Sequence, residues 1–68
     1  MNHEIVLKNN IKQVRGELKM SQGELAKLTG TTRQTIISIE KGTFSPTAKL
    51  ALLICIALNK KFEEIFYF

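Results

Sequence analysis

Arg33 and Gln34 stand side by side in the stretch Thr32-Arg33-Gln34-Thr35, and Ser38 follows Gln34 by one helical turn. A guanidinium donates two parallel hydrogen bonds to guanine O6 and N7, and a carboxamide pairs in the same two-pronged way with adenine N6 and N7. Presented on one helix face, these residues suit recognition of base edges. Bond-making chemistry has little to work with. The chain has one His, one Cys and no Asp. It also lacks a glycine-rich phosphate loop and any paired acid and base, so an enzyme is excluded. His3 and Cys55 together fall short of the roughly four ligands of a structural zinc site, and neither a metal nor a cofactor is expected. Cys55, inside Leu52-Leu53-Ile54-Cys55-Ile56, reads as a small buried hydrophobe rather than a reactive thiol.

The elements that must position Arg33 and Gln34 are marked by clear punctuation. Leu7, Ile11, Val14 and Leu18 step by four, three and four, the face of one helix, with Asn9 or Asn10 as its cap. Ser21-Gln22-Gly23-Glu24 is a capping box. It opens a second helix from Gln22 to Leu28 or Thr29, which Gly30 ends. Thr32 caps a third helix that turns Ile36 and Ile39 inward and stops at Gly42. Positions 33, 34, 37 and 38 then face away from the core. Ile37 either packs at the edge of the core, the favoured reading, or touches a thymine methyl. Ser45-Pro46 reads as a cap followed by proline at the first helical position. The fourth helix runs to about Leu58 and is apolar almost all round from Leu50 onward, so it belongs at the centre of the core. Asn59 to Lys61 form a turn, and Phe62 to Phe66 a last short helix. Ile5-Val6-Leu7 and Ile65-Phe66-Tyr67-Phe68 are rich in β-forming residues. The sequence leaves open whether they pair as an antiparallel ribbon.

Sixty-eight residues make one domain, whose stability margin is thin because so short a chain buries only about 60% of its unfolded surface. A lone cysteine allows no internal disulfide, which leaves self-association as the reinforcement. The net charge is +4. Eight basic residues against Glu17, Glu24 and Glu40 lie between Lys8 and Lys49, which favours a polyanion partner. No signal peptide is visible. The longest apolar stretch, Leu50 to Leu58, is far short of the roughly 20 residues of a membrane span. The expectation is a soluble, cytoplasmic protein. A basic peptide lying on membranes is disfavoured because the basic residues are spread over several helices.

Two short helices joined by a tight glycine-containing turn make a helix-turn-helix unit, here at about residues 21–41. The segment from Ser21 to Pro46, SQGELAKLTGTTRQTIISIEKGTFSP, resembles the phage-repressor and Cro type of helix-turn-helix, also called XRE-like. The words SQGELA, RQTI and IEKG carry the likeness, which extends over roughly residues 9 to 66. The resemblance implies an all-α fold, a five-helix lambda-repressor-like DNA-binding domain over residues 1–68. It further implies that Gln22 holds a backbone phosphate and braces Gln34, and that Arg33, Gln34 and Ser38 face the bases, with Thr35 in the same DNA-binding first turn. Thr32 would lie near a phosphate, Lys41 and the backbone from Thr43 to Ser45 would grip the next one, and Arg15 would pair with Glu40. Two departures stand out. Thr31 replaces a frequent Val after the turn glycine, and Ser38 is short where some relatives carry a longer reader.

One such unit offers few base-reading side chains. Relatives act as two-fold dimers whose recognition helices enter successive major grooves roughly 34 Å apart. Phe62, Ile65, Phe66 and Phe68 offer the apolar surface for a homodimer, unless they merely close the monomer core. The expected function is a transcription regulator, a repressor that occludes a near-palindromic operator in double-stranded DNA. The alternative is an antitoxin or adaptor whose main role is binding another protein. No separate sensor domain fits this length.

Overall fold

The computed structural model describes residues 6–68. His3 and Ile5 lie outside the described residues. In chain order the elements are strand β1 (Lys8–Asn9), helices α1 (Ile11–Glu17), α2 (Gln22–Thr29), α3 (Arg33–Lys41), α4 (Ala48–Leu58) and α5 (Phe62–Ile65), and strand β2 (Phe66–Tyr67). The fold is mainly helical, with α2 packed against both α3 and α4.

The termini do pair: β2 falls within the Ile65–Phe68 stretch suggested by β propensity, and only the N-terminal strand is displaced, to Lys8–Asn9. β1 runs antiparallel to β2, with Lys8 opposite Tyr67 and Asn9 opposite Phe66. The strand therefore lies beyond Val6-Leu7. Asn9 is held on three sides: its backbone is in the ribbon, its Oδ1 accepts from the Ile11 N–H at 3.2 Å, and its Nδ2 donates to the Ile39 carbonyl at 2.9 Å. Asn10 donates from its backbone N–H to the Ile65 carbonyl at 2.9 Å and from Nδ2 to the Glu64 carbonyl at 3.0 Å. These bonds explain the register. They tie the entry of α1 to the exits of α3 and α5.

Caps set the boundaries of α2 and α3 where the sequence places them. Ser21 Oγ accepts from the Glu24 N–H at 3.0 Å, and Glu24 Oε1 accepts from the Ser21 N–H at 2.8 Å. Hydrogen bonding to Ser21, from its backbone N–H first and its hydroxyl second, holds the Glu24 carboxyl below its ordinary value of 4.5. Thr32 Oγ1 accepts from the Thr35 N–H at 3.1 Å. Gly30 and Gly42 close the two helices at φ 72° and 81°, a left-handed conformation in which side chains are strained.

α4 starts later than Pro46. Thr47 is its cap, with its hydroxyl accepting from the Leu50 N–H at 3.1 Å. A hydroxyl within reach of an orphan N–H outweighs the preference of proline for the first helical position. α4 is also buried on one side only. Ala51, Ile54, Cys55 and Leu58 enter the core, whereas Leu52 is 53% and Ile56 74% exposed. Four other short helices supply too little cover to wrap it. Burial pushes the Cys55 thiol up, in keeping with a packing role. Leu18 is exposed because α1 ends at Glu17, and Leu7 packs on the core from outside the helix. No helix of the described residues is long and apolar enough to cross a membrane.

The core joins Ile11 and Val14 of α1, Leu25 and Ala26 of α2, Ile36 and Ile39 of α3, the inner face of α4, and Ile65 and Phe66. Both Ile65 (0% exposed) and Phe66 (3%) are thus spent inside the monomer. This corrects their assignment to a dimer surface. Their apolar area closes the chain's own core through the ribbon, while Phe62 and Phe68 remain exposed.

Two glycines separate backbone conformation from packing. A Cβ at Gly16, within α1, or at Gly42 meets no atom within 4 Å. Gly16→Ala should therefore stabilise the domain by about 1 kcal/mol through helix propensity. Gly42→Ala should cost about 1 kcal/mol because of the left-handed backbone. Urea midpoints shifting in opposite directions are the expected result.

Candidate nucleic-acid interface

α3 is oriented by a single carboxylate. Glu40 Oε2 accepts from Arg15 Nε at 2.7 Å and Glu40 Oε1 from Arg15 Nη2 at 3.2 Å, a two-pronged ion pair between α1 and α3. The same Oε1 accepts from Gln22 Nε2 of α2 at 3.0 Å. Arg15 spends Nη1 on the Met20 carbonyl at 2.9 Å. The two ionic side chains are 12% and 7% exposed. Three helices thus meet at one acidic group, and no buried side-chain polar atom among the described residues lacks a partner.

Gln22 is braced by Glu40, not against Gln34 as the resemblance implies. The carboxylate is the stronger acceptor and lies closer to the helix junction. Gln34 donates only a long 3.5 Å bond, from Nε2 to Ser38 Oγ, so its amide remains available to a ligand. Arg33 and Gln34 are exposed on the first turn of α3, while Thr35 and Ser38 are half-buried. No acidic residue sits in that turn, leaving the positive end of the helix dipole uncompensated for an approaching anion. Ile37 is half-buried.

Two open depressions flank the start of α3. Thr32, Gln34, Thr35, Ser38 and Thr43 line the first, together with Phe44. The second is lined by Gln22 and Arg33 with Lys12, Arg15, Ser21 and Gly23. Lys41 is exposed but lines neither. Sequence reasoning passed over Lys12 and Phe44. Lys12 was detectable as the cation next to Ile11 and three residues before Arg15, off the core face of α1. Phe44 offered only the oddity of an aromatic residue in a polar loop. Thr43 is fixed to α3, its N–H and its Oγ1 both donating to the Ser38 carbonyl, at 3.0 and 3.1 Å.

Removing either member of the Arg15–Glu40 ion pair leaves a largely buried charge without its partner. Glu40→Ala should cost about 3–5 kcal/mol of stability. The paired apolar replacement Arg15→Met with Glu40→Leu should cost far less than the two single changes together. Denaturation midpoints of Arg15→Met, Glu40→Leu and the double variant, combined as a double-mutant cycle, measure the coupling.

Comparison with known proteins agrees with this geometry. The profile of the family described as helix-turn-helix matches residues 11–65. The chain is 43% identical over 61 residues to the uncharacterized HTH-type transcriptional regulator YgzD of Bacillus subtilis, covering 90% of this chain and 92% of that one. An uncharacterized HTH-type transcriptional regulator of Archaeoglobus fulgidus is 44% identical over 62 residues, covering 91% and 87%. Among solved structures, the restriction-modification controller protein C.AhdI of Aeromonas hydrophila superposes with a TM-score of 0.77 at 25% identity, over 81% of this chain and 83% of that one. The clp gene regulator ClgR of Corynebacterium glutamicum shares the fold, with a TM-score of 0.76 at 18% identity over 79% and 57%. These relatives are named as regulators, not as enzymes. With α2 and α3 forming the glycine-linked pair and the polar first turn of α3 exposed, this chain belongs to the XRE-like helix-turn-helix family of DNA-binding transcriptional regulators.

Proposed function

We propose that the protein is a sequence-specific repressor that binds a near-palindromic operator as a homodimer. The observation that carries this reading is the pairing of exposed, lightly held Arg33 and Gln34 with a rigidly anchored α3. Fixed helices and free readers suit discrimination, because the readers reach base edges without reorganising the scaffold. In this reading α3 enters the major groove, Arg33 and Gln34 read bases and Ser38 adds a minor contact. Gln22, Thr32, Thr35, Lys41 and Thr43 hold the flanking phosphates, with Lys12 added to that set. Gln22 keeps a second amide N–H for a phosphate while the first stays on Glu40. The likeness to a restriction-modification controller protein supports a small regulator of this kind.

The dimer in this reading uses exposed apolar residues of α4, α5 and the tail. Phe62 and Phe68 remain from the sequence expectation, and Ile56 of α4 joins them in place of Ile65 and Phe66. Among the described residues Ile56 (74% exposed) and Phe68 (73%) are the most exposed large apolar side chains, and a second copy would remove them from water.

Selection of bound duplexes from a random pool tests both parts. The wild type should enrich two inverted half-sites with centres about 10 base pairs, one helical turn, apart. Gln34→Ala should lose about 1–3 kcal/mol on the selected duplex and relax one position per half-site. An unchanged preference removes Gln34 from base reading. For the dimer, Ile56→Lys and Phe68→Ser should sediment as monomers and bind the selected duplex more weakly. Dimers persisting in both variants move the interface elsewhere. Retention of a single protein partner with no duplex selectivity favours the antitoxin or adaptor role.

A further inference from the structure

Phe44 lies at the depression beside the first turn of α3. It is 48% exposed and completes the wall whose other members are Thr32, Gln34, Thr35, Ser38 and Thr43. The other members are polar, and Phe44 is the one aromatic side chain among them. Its placement is preset. Gly42 reverses the chain at φ 81°, and the two bonds from Thr43 to the Ser38 carbonyl lock the start of the loop onto α3. Phe44, the next residue, therefore shares that depression with Gln34 and Ser38, on the chain that leaves the end of α3. An exposed phenyl ring gains by meeting an apolar group on its partner. The major groove offers one such group on the base edges, the C5-methyl of thymine, which apolar side chains including Phe contact.

We propose that Phe44 is a specificity-determining residue that packs on the methyl group of a thymine beside the base pair read by Gln34. The inference rests on the proposed base-reading function and assigns it a reader outside α3. It differs from a phosphate grip by the Thr43–Ser45 backbone, because a methyl contact selects one base whereas a phosphate contact selects none. It also gives the first depression two complementary walls: an amide and hydroxyls for polar edges, and a ring for the methyl.

Deoxyuridine differs from thymidine only by the missing methyl, which makes the contact separable on the DNA side. The probe is the duplex selected by the wild type, with each thymine replaced singly by deoxyuridine. Affinities are measured by fluorescence anisotropy for the wild type, Phe44→Ala, Phe44→Leu and Gln34→Ala. Burial of one methyl corresponds to about a fourfold change in affinity. One thymine per half-site should show that loss in the wild type. Phe44→Ala should bind the thymine and deoxyuridine duplexes equally at that position. Phe44→Leu should keep part of the methyl effect, and Gln34→Ala should keep it while losing its own base preference.

An identical methyl effect in Phe44→Ala overturns the proposal, and so does a selected site in which no thymine is methyl-sensitive. A uniform loss of affinity across all duplexes assigns the ring to the sugar-phosphate backbone and overturns it equally. Because the deoxyuridine scan of the wild type needs no variant, poor folding of Phe44→Ala does not shield the idea. A wild type that enriches no sequence fails the base-reading function itself, a separate and recognisable result.

Discussion

The orientation of α3 depends on the carboxylate of Glu40, which takes Arg15 from α1 and Gln22 from α2 at once. A side chain so little exposed loses most of its hydration, and that loss is offset only when its acceptor sites are filled with good geometry. The arginine fork fills two of them in parallel, and the Gln22 amide takes a third. Such a cluster specifies an arrangement more than it adds stability. Ile36 and Ile39 would allow α3 to settle with some freedom about its axis, since apolar contact has no preferred direction. The ion pair removes that freedom, because bidentate pairing is satisfied at one rotation. The rotation in turn decides that Arg33 and Gln34 point outward.

The ends of α3 are fixed by different means. At its start Thr32 supplies the cap, and Gly30 makes the tight turn from α2. At its finish the Ile39 carbonyl accepts twice, from the capping Gly42 N–H at 3.0 Å and from Asn9 Nδ2 at 2.9 Å. The short ribbon is therefore more than a clasp for the termini. It carries Asn9 to the C-terminal end of α3 and fixes Phe66 in the core. A domain of this size has a small apolar reserve. Directional polar contacts of this kind hold an orientation that a thin core holds poorly.

Much of this was legible from single residues because their effects are local. Ser21 with Glu24, Thr32, Gly30 and Gly42 act within a few residues, so their types and spacing foretell α2 and α3 almost to the residue. The periodicity of Ile11, Val14, Ile36 and Ile39 marks the core side of α1 and α3. Contacts across long sequence separations were less legible. Asn9 and Ile39 meet only once the chain has folded, and neither residue type announces the other. Gln22 and Glu40 present the same difficulty, and the Arg15–Glu40 pair entered through family resemblance alone. Burial in the tail failed for a related reason. Ile65, Phe66 and Phe68 are equally apolar by residue type, and only the helical turn of α5 at Ile65 and the ribbon register at Phe66 send the first two inward. The start of α4 was misplaced because Ser45-Pro46 and Thr47 both carry cap chemistry within three residues, and the choice between them depends on how the loop leaves Gly42.

The proposed reading also explains why a unit so small would act in pairs. Two bidentate readers at about 1–3 kcal/mol each give one α3 roughly 2–6 kcal/mol of discrimination. A genome presents about 10⁶–10⁹ competing sites, equivalent to roughly 8–13 kcal/mol at about 1.4 kcal/mol per decade. One copy falls short of that range across its whole span. Two copies on inverted half-sites reach about 4–12 kcal/mol, and a methyl contact from Phe44 in each half would add close to 1 kcal/mol apiece. Selectivity thus depends on the second copy more than on any single contact. Apolar surface left over on α4 and the tail has the same origin as this shortfall. In that reading a domain of this size leaves large side chains exposed and carries few readers, and association through the first deficit would supply the second.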